Sequence, residues 1–238
     1  QFKNYINKFS NDKFLRKKKI SIKKNIEQSS SSLDDFKEIE NVTLACSDKD
    51  NLKIYKGHIL NDNISFNNEK IKITIQMKSN DPILIFTNDG KLYILDSVSL
   101  PSGKSNGTNL SFFVNLNNFS KIIGIFKYEK NFKCFLISYF SKGFIFKMDE
   151  YFKINKNGKQ VFNLKKEDKL IRSLPLNTYV AIVSSLEKML IFDIKEIPIL
   201  KKSGGVLLQK IKDGYLRDIV VFDKNNGLSW KNGKNERN

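Results

Sequence analysis

The sequence is poor in the residues that build most catalytic and metal centres. It holds one histidine, His58, and two cysteines, Cys46 and Cys134, both in apolar runs and far apart. Such a pair reads as core thiols in a reducing cytosol, not as a disulfide framework. One imidazole and two separated thiols do not give the ligand spacing of a zinc site. A single histidine leaves no credible Ser-His-Asp set. No Walker-type Gly-rich loop ending in Lys-Ser or Lys-Thr is present to cradle ATP phosphates. Asp34-Asp35 and Asp48-Lys49-Asp50 read as linker or turn acids, not as a metal cluster. No apolar run approaches the ~20 residues of a membrane span. No signal peptide is visible at Gln1, and Gln1 is not an initiator methionine, so a longer protein is expected upstream.

Acidic residues are also short. Lys+Arg number 42 against 25 for Asp+Glu, a formal net charge of +17 over 238 residues. That excess raises the local concentration of polyanions, nucleic acid first and an anionic membrane surface as the rival. Arginine is scarce within the basic set, being only Arg16, Arg172, Arg217 and Arg237. With Asn and Ile abundant, the pattern is that of an AT-rich genome, and part of the lysine excess is compositional. The chain is 40% hydrophobic with 19 Phe, enough for a sizeable core.

Two regions are expected. In residues 1–40, Phe2, Tyr5, Ile6 and Phe9 share one helical face. A basic run (Arg16, Lys17, Lys18, Lys19, Lys23, Lys24) and the Ser29–Ser32 tract follow, reading as a helix end and a basic flexible linker. Residues 41–238 change to short strands with a degenerate repeat of roughly 40–50 residues. Each unit is strand, polar turn, strand: Val42–Cys46 with Leu52–Tyr55, Ile83–Phe86 with Leu92–Leu95, Cys134–Ile137 with Phe144–Phe146, and Val180–Val183 with Met189–Phe192. Asn88-Asp89-Gly90 is a strong turn signal. The alignment places Asn51, Gly90, Gly143 and Lys188 in register. Later units add a basic, Gly-containing loop and another strand: 100–107, 154–159 and 197–205. Extra strands fit at Ile71–Met77, Ile122–Phe126 and Ile219–Phe222, and a last short one at Leu228–Trp230. Units of this size with four strands are propeller-like blades, so an all-β fold of about five blades of four strands is expected.

Several motifs resemble one family, in the correct order. Lys56-Gly57-His58 is similar to its Lys-Gly-His, and Leu100-Pro101-Ser102-Gly103-Lys104-Ser105-Asn106-Gly107 to its Leu-Pro-Gly-Gly-Arg-Gly-x-Gly loop. Gly158-Lys159-Gln160-Val161, Lys212-Asp213-Gly214 before Arg217-Asp218-Ile219, and Gly227-Leu228-Ser229-Trp230 match further pieces. The chain thus resembles the C-terminal region of A subunits of bacterial type IIA topoisomerases, topoisomerase IV more than gyrase. The resemblance implies a β-pinwheel, a propeller-like fold with strands exchanged between blades, whose basic outer edge binds and bends duplex DNA. It implies an isomerase whose ATP and Mg²⁺ are used elsewhere in an A2B2 holoenzyme: by the N-terminal cleavage core that precedes this region and by the separate B subunits. The implied setting is the bacterial cytoplasm, at the nucleoid. No cofactor is expected in this segment. Gyrase's Gln-Arg-Arg-Gly-Gly-Lys-Gly box is not found; Lys201-Lys202-Ser203-Gly204-Gly205 is the nearest stretch. The family's cleaving tyrosine follows an arginine, and none of the eight tyrosines here does.

Lys104, Lys156, Lys159, Lys201 and Lys202 lie in the recurring loops and are expected to form a phosphate track. Lys210, Lys212 and Arg217 extend it, and the resemblance adds Lys56. No set of side chains points to base readout. Alternatives are the C-terminal domain of the gyrase A protein, a non-enzymatic propeller that binds proteins, and an RNA- or single-strand-binding module. The last would use aromatics such as Phe112, Phe152 or Phe162 between the lysines.

Overall fold

The computed structural model describes residues 38–66, 68–102, 105–149, 154–228, 230–232 and 235–237. The expected helix and linker of residues 1–40 therefore lie almost wholly outside the described residues. Nearly all of the described residues belong to one compact unit, residues 40–238.

It is all strand, with short 3-10 turns. The strands are β1 (Asn41–Ser47), β2 (Asn51–Lys56), β3 (Ile71–Lys78), β4 (Pro82–Thr87), β5 (Lys91–Asp96), β6 (Thr108–Asn109), β7 (Ile122–Lys127), β8 (Phe132–Ser138) and β9 (Lys142–Met148). They continue as β10 (Lys159–Gln160), β11 (Leu170–Leu174), β12 (Tyr179–Ser184), β13 (Met189–Asp193), β14 (Ile199–Leu200), β15 (Val206–Leu207), β16 (Leu216–Phe222), β17 (Trp230–Asn232) and β18 (Asn235–Arg237). Four blade-sized sheets result, with strand orders β3-β1-β2-β6, β10-β5-β4-β7, β11-β8-β9-β14 and β13-β12-β16; β15 also pairs with β9. The β17–β18 hairpin stands apart. Against about five expected blades, the described residues thus hold four sheets and a hairpin. The extra strands read between the sequence units are the third strands of these same blades.

Each unit starts as a hairpin, and the third strand returns beside the first. The outermost strand is lent by the unit that follows. β6 comes after the β4–β5 hairpin yet pairs with Asn51 and Leu52 of β2. β10 follows β9 yet pairs with Lys91 and Leu92 of β5. β14 and β15 follow β13 yet pair with β9, one parallel and one antiparallel. On the opposite edge, β7 packs against both β3 and β11. Every complete blade therefore has an inner edge against its neighbours and an outer edge made of exchanged strands.

The blades are held by cores between their faces. Alternate residues of a strand point to opposite faces. In β4, Ile83 and Ile85 enter the core shared with the first sheet, together with Val42, Leu44 and Leu52. Leu84 and Phe86 enter the core shared with the third sheet, with Cys134, Leu136 and Phe144. β8 repeats the device, sending Phe135 and Ile137 to a third core with Val180 and Ile182. A strand buried on both faces reads as a continuous apolar run, which is how these segments stand in the sequence.

The hairpin turns are one construction used four times. Asp50, Gly90, Ser141 and Glu187 all take positive φ, from +57° to +80°. A hydroxyl just before the turn braces it: the Ser138 and Ser184 Oγ atoms accept from the amides of Lys142 and Lys188, and Ser47 Oγ accepts from that of Asn51. Gly143, expected at the third turn, is instead buried within β9, where an added Cβ would meet the Leu136 carbonyl at 2.9 Å and Leu208 at 2.8 Å. Ser141 holds the left-handed position in its place.

Candidate nucleic-acid interface

The exchanged segments carry most of the residues expected to bind phosphate. Two of them open with the same backbone move, in which the Pro101 and Pro198 carbonyls accept from the amides of Ile54 and Ile145 in the preceding blade. All three reach a left-handed glycine, Gly107, Gly158 or Gly205, immediately before the short exchanged strand. Counting back from these glycines, Lys104 and Lys202 occupy one position and Asn155 holds it in the middle segment. Lys156 and Lys159 are thus near neighbours of that position, not equivalents as the sequence repeat implied. The cause is the variable length of the loops ahead of each glycine.

Lys159 and Lys201 do come together. Both line a groove of about 380 Å³ with Phe146, Lys147, Met148, Asp149 and Val161. Asp149 sits between two ammonium groups, at 2.5 Å from Lys147 and 2.7 Å from Lys201. These two lysines, Lys147 first, hold its carboxyl down to about 2. Lys201 is therefore partly neutralised, while its neighbour Lys202 is exposed and has no ion-pair partner among the described residues. Lys156 is also exposed, and its carbonyl accepts from the Asn115 amide at 2.7 Å, fixing the loop to the unit before it.

The other expected residues lie elsewhere. Lys210, Lys212 and Arg217 are exposed at the hairpin-turn end of the fourth blade. There Tyr215 donates its amide to Ser185 Oγ, and a Cβ on Gly214 would meet the same serine. Arg217 faces Glu187 of that turn at 3.6 Å. Lys56 ends β2, about 17 Å of strand from its turn, and pairs with Glu40 at 3.1 Å. Lys56 is thus not brought to the turn-end group, because it lies at the opposite end of its hairpin. Lys104 and Phe152 lie outside the described residues.

Sequence alignment on Gly143 concealed a more regular set. Once the turns are registered on their left-handed residues, Lys91, Lys142 and Lys188 fall on one position, directly after the turn, where the first unit has Asn51. Lys91 and Lys142 pair in register with Gln160 and Leu207 of the exchanged strands, so they stand at the corner of turn and outer edge. A second series is marked by backbone bonds. The amides of Asp48, Asn88, Tyr139 and Ser185 donate to the carbonyls of Lys70, Lys121, Lys169 and Tyr215, all at 2.8–3.0 Å. All four acceptor residues are exposed. The signal in the sequence was the hydroxyl-x-x-x-Lys spacing of Thr87–Lys91, Ser138–Lys142 and Ser184–Lys188.

Among the described residues no group of three or more His, Cys, Asp or Glu could hold a metal ion, and no helix is long and apolar enough to cross a membrane. Both cysteines are buried and free. Burial pushes the Cys46 thiol up to about 12 and Cys134 well above its ordinary value. Phe162 is fully buried, so it offers no face to a base; Phe112 is exposed.

Comparison with known proteins agrees with this architecture. The family described as DNA gyrase C-terminal domain, beta-propeller, matches residues 81–127, 134–177 and 178–222. Each match coincides with one hairpin and its third strand, the second to fourth blades. The chain is 33% identical over 199 residues to the A subunit of DNA topoisomerase 4 from Rickettsia bellii (strain RML369-C), covering 82% of this chain and 27% of that protein. It spans about a quarter of the length of such relatives. The structure of the E. coli ParC C-terminal domain superposes with a TM-score of 0.73 at 20% identity, covering 83% of this chain and 85% of that one. A crystal structure of the C-terminal domain of DNA topoisomerase IV gives 0.68 at 16% identity, covering 77% and 62%.

Proposed function

From the premise that this chain belongs to the C-terminal β-pinwheel family of topoisomerase IV and gyrase A subunits, we propose that it binds and bends duplex DNA along the outer edge of its blades. The observation that carries this reading is the recurrence of Lys91, Lys142 and Lys188 directly after the turns of successive blades, the first two in register with exchanged segments that bear Lys159 and Lys202. Equivalent corners in repeated units give a series of point charges, each suited to one phosphate. Lysine-to-phosphate contacts position a duplex without reading its bases.

In the whole protein this segment would serve the A subunit of topoisomerase IV. It would steer DNA crossings to an A2B2 enzyme that decatenates and relaxes by ATP-dependent strand passage, with Mg²⁺ and the cleaving tyrosine supplied by other parts. The 201–205 stretch, Lys-Lys-Ser-Gly-Gly, supports topoisomerase IV over a wrapping gyrase.

The test is duplex binding by fluorescence anisotropy. Reversing charge at Lys104, Lys159 and Lys202 together abolishes binding while circular dichroism keeps its β spectrum. Affinity of the parent chain falls steeply with salt, ~10³-fold or more between 50 and 200 mM if six or more phosphates are neutralised. Unchanged affinity in the triple variant removes the outer-edge reading. Preference for single strands or RNA over duplex replaces it.

A further inference from the structure

At the hairpin-turn ends, the junction of the third and fourth blades differs from the others. The residues that meet between neighbouring blades are a turn residue of one blade and the residue before the third strand of the next. Between the second and third blades the Leu170 amide donates to the Asn88 carbonyl, so Asn88 lies by Lys169; between the third and fourth, Tyr139 meets Tyr215. The last pair stacks, with ring centroids 4.6 Å apart and planes 12° from parallel. The Leu216 amide donates to the Tyr139 carbonyl at 2.9 Å and ties the two blades at that point. Beside the rings opens a cleft of about 240 Å³, whose walls carry Lys169, Arg172 and Arg217 with Asp218.

Two of the four arginines in a chain with 42 basic residues stand in this one cleft. In a sequence that otherwise uses lysine, that placement calls for what only a guanidinium supplies. Its planar fork of donors matches two oxygens of a phosphate, whereas an ammonium is a point charge. Both side chains reach from third strands: Arg172 of β11 pairs in register with Ile137, and Arg217 of β16 sits at the register shift between the paired residues Leu216 and Asp218. Among the described residues Arg217 has a 3.6 Å contact with exposed Glu187, and Arg172 a bond to the Ile171 carbonyl. The cations outnumber the one carboxylate in the cleft wall.

The tyrosines narrow the ligand further. Tyr139 has Tyr215 on its ring, the Lys169 ammonium 5.2 Å from its centroid, and Phe140 edge-on. Its ring is crowded on all these sides, so stacking of an unpaired base is disfavoured there. Neither phenol hydroxyl has a hydrogen-bond partner among the described residues. Two free O–H donors beside two forked cations make a receptor for an oxyanion.

We propose that this cleft is a discrete anchor for one phosphodiester group of the duplex backbone, held by Arg172 and Arg217 and donated to by the Tyr139 and Tyr215 hydroxyls. It rests on the DNA-binding reading and deepens it. It lies at the turn ends of the blades, apart from the outer-edge groove of Lys159 and Lys201. It would set where a duplex crosses the third and fourth blades.

The test compares variants of the full chain on a 30-base-pair duplex across a salt series. R172Q/R217Q weakens binding about tenfold and flattens the slope of log affinity against log salt by roughly 0.9 for each phosphate lost. R172K/R217K keeps the slope but still loses several-fold, because charge is preserved and the fork is not. Y139F/Y215F loses a few-fold with the slope unchanged. All these side chains line the surface of the cleft, and thermal melts of each variant match the parent. Parent-like binding by R172Q/R217Q, while charge reversal at the outer-edge lysines abolishes it, overturns the anchor and leaves the wider reading intact. Failure of the parent chain to bind duplex at all overturns both. Tighter binding of a 30-nucleotide single strand that depends on Tyr139 and Tyr215 overturns the anchor in favour of base stacking.

Discussion

Asp149 is the residue that most limits the outer-edge groove. It draws Lys147 and Lys201 to itself within 2.7 Å, so two ammonium groups that could meet phosphates share one carboxylate. Replacing it as Asp149→Asn removes that competitor and adds one unit of net positive charge. Duplex affinity at 100 mM salt is expected to rise several-fold, read by anisotropy, and the gain is expected to shrink when Lys201→Gln is added. The pH behaviour has a definite sign. Its pKa is lowered on folding, so the stabilising contribution is present above the ordinary carboxylate value near 4 and is lost only as pH falls towards about 2. Between pH 5 and 8 the pair therefore stays closed, and the advantage of the Asn variant stays constant over that range. At this scale the sequence was legible where local chemistry is decisive. Asn88-Asp89-Gly90 announced its turn, and Gly90 indeed has φ +80°, with its carbonyl accepting from both Val161 and Phe162. It was not legible where a less expected residue holds the same conformation, as Ser141 and Glu187 do. Misplacing the third turn by two residues hid the register of Lys91, Lys142 and Lys188.

At the scale of elements, the blade rule leaves one sheet incomplete. β2, β5 and β9 each receive an exchanged strand, but β13 receives none among the described residues. Among the described residues the fourth sheet also has no neighbour on its outer face. Tyr179, Ala181, Met189, Ile191, Val220 and Phe222 share that face by strand alternation and register. Met189, Ile191 and Val220 are each more than 40% exposed. The first sheet covers the equivalent weakness with Ile64 and Phe66 packed on Ala45. An apolar face next to an unpaired edge is a template for self-association. Substituting Ile191→Lys and Val220→Lys is expected to lower the concentration-dependent light scattering of this segment and leave its melting temperature within a few degrees. Scattering that persists would place association on another surface. The hairpins and third strands were legible because two-sided burial writes continuous apolar runs, such as Ile83–Phe86. The exchanged strands were not, since β6, β10, β14 and β15 are two residues each and owe their place to a preceding blade.

At the scale of the molecule, an excess of +17 charges matters only if it is arranged. Scattered lysines and an ordered series give the same net charge and the same general attraction to polyanions. They differ in how binding responds to the length of the duplex. A local patch neutralises its few phosphates on a short duplex and gains nothing from a longer one. A series that recurs blade after blade engages more phosphates as the duplex reaches further corners, and each adds about 0.9 to the salt slope. The expected outcome is therefore a slope of log affinity against log salt that steepens between 10 and 40 base pairs and then levels. The plateau counts the phosphates engaged. The corner series of Lys91, Lys142, Lys188 and the exchanged-strand lysines bounds that number below the 42 basic residues by a wide margin. Equal slopes at both lengths would mean that the lysine excess is compositional and that a single corner does the binding. If the plateau drops when Lys142 alone is replaced by Gln, by about one phosphate at 40 base pairs and by nothing at 10, the corner acts as one station on a longer path.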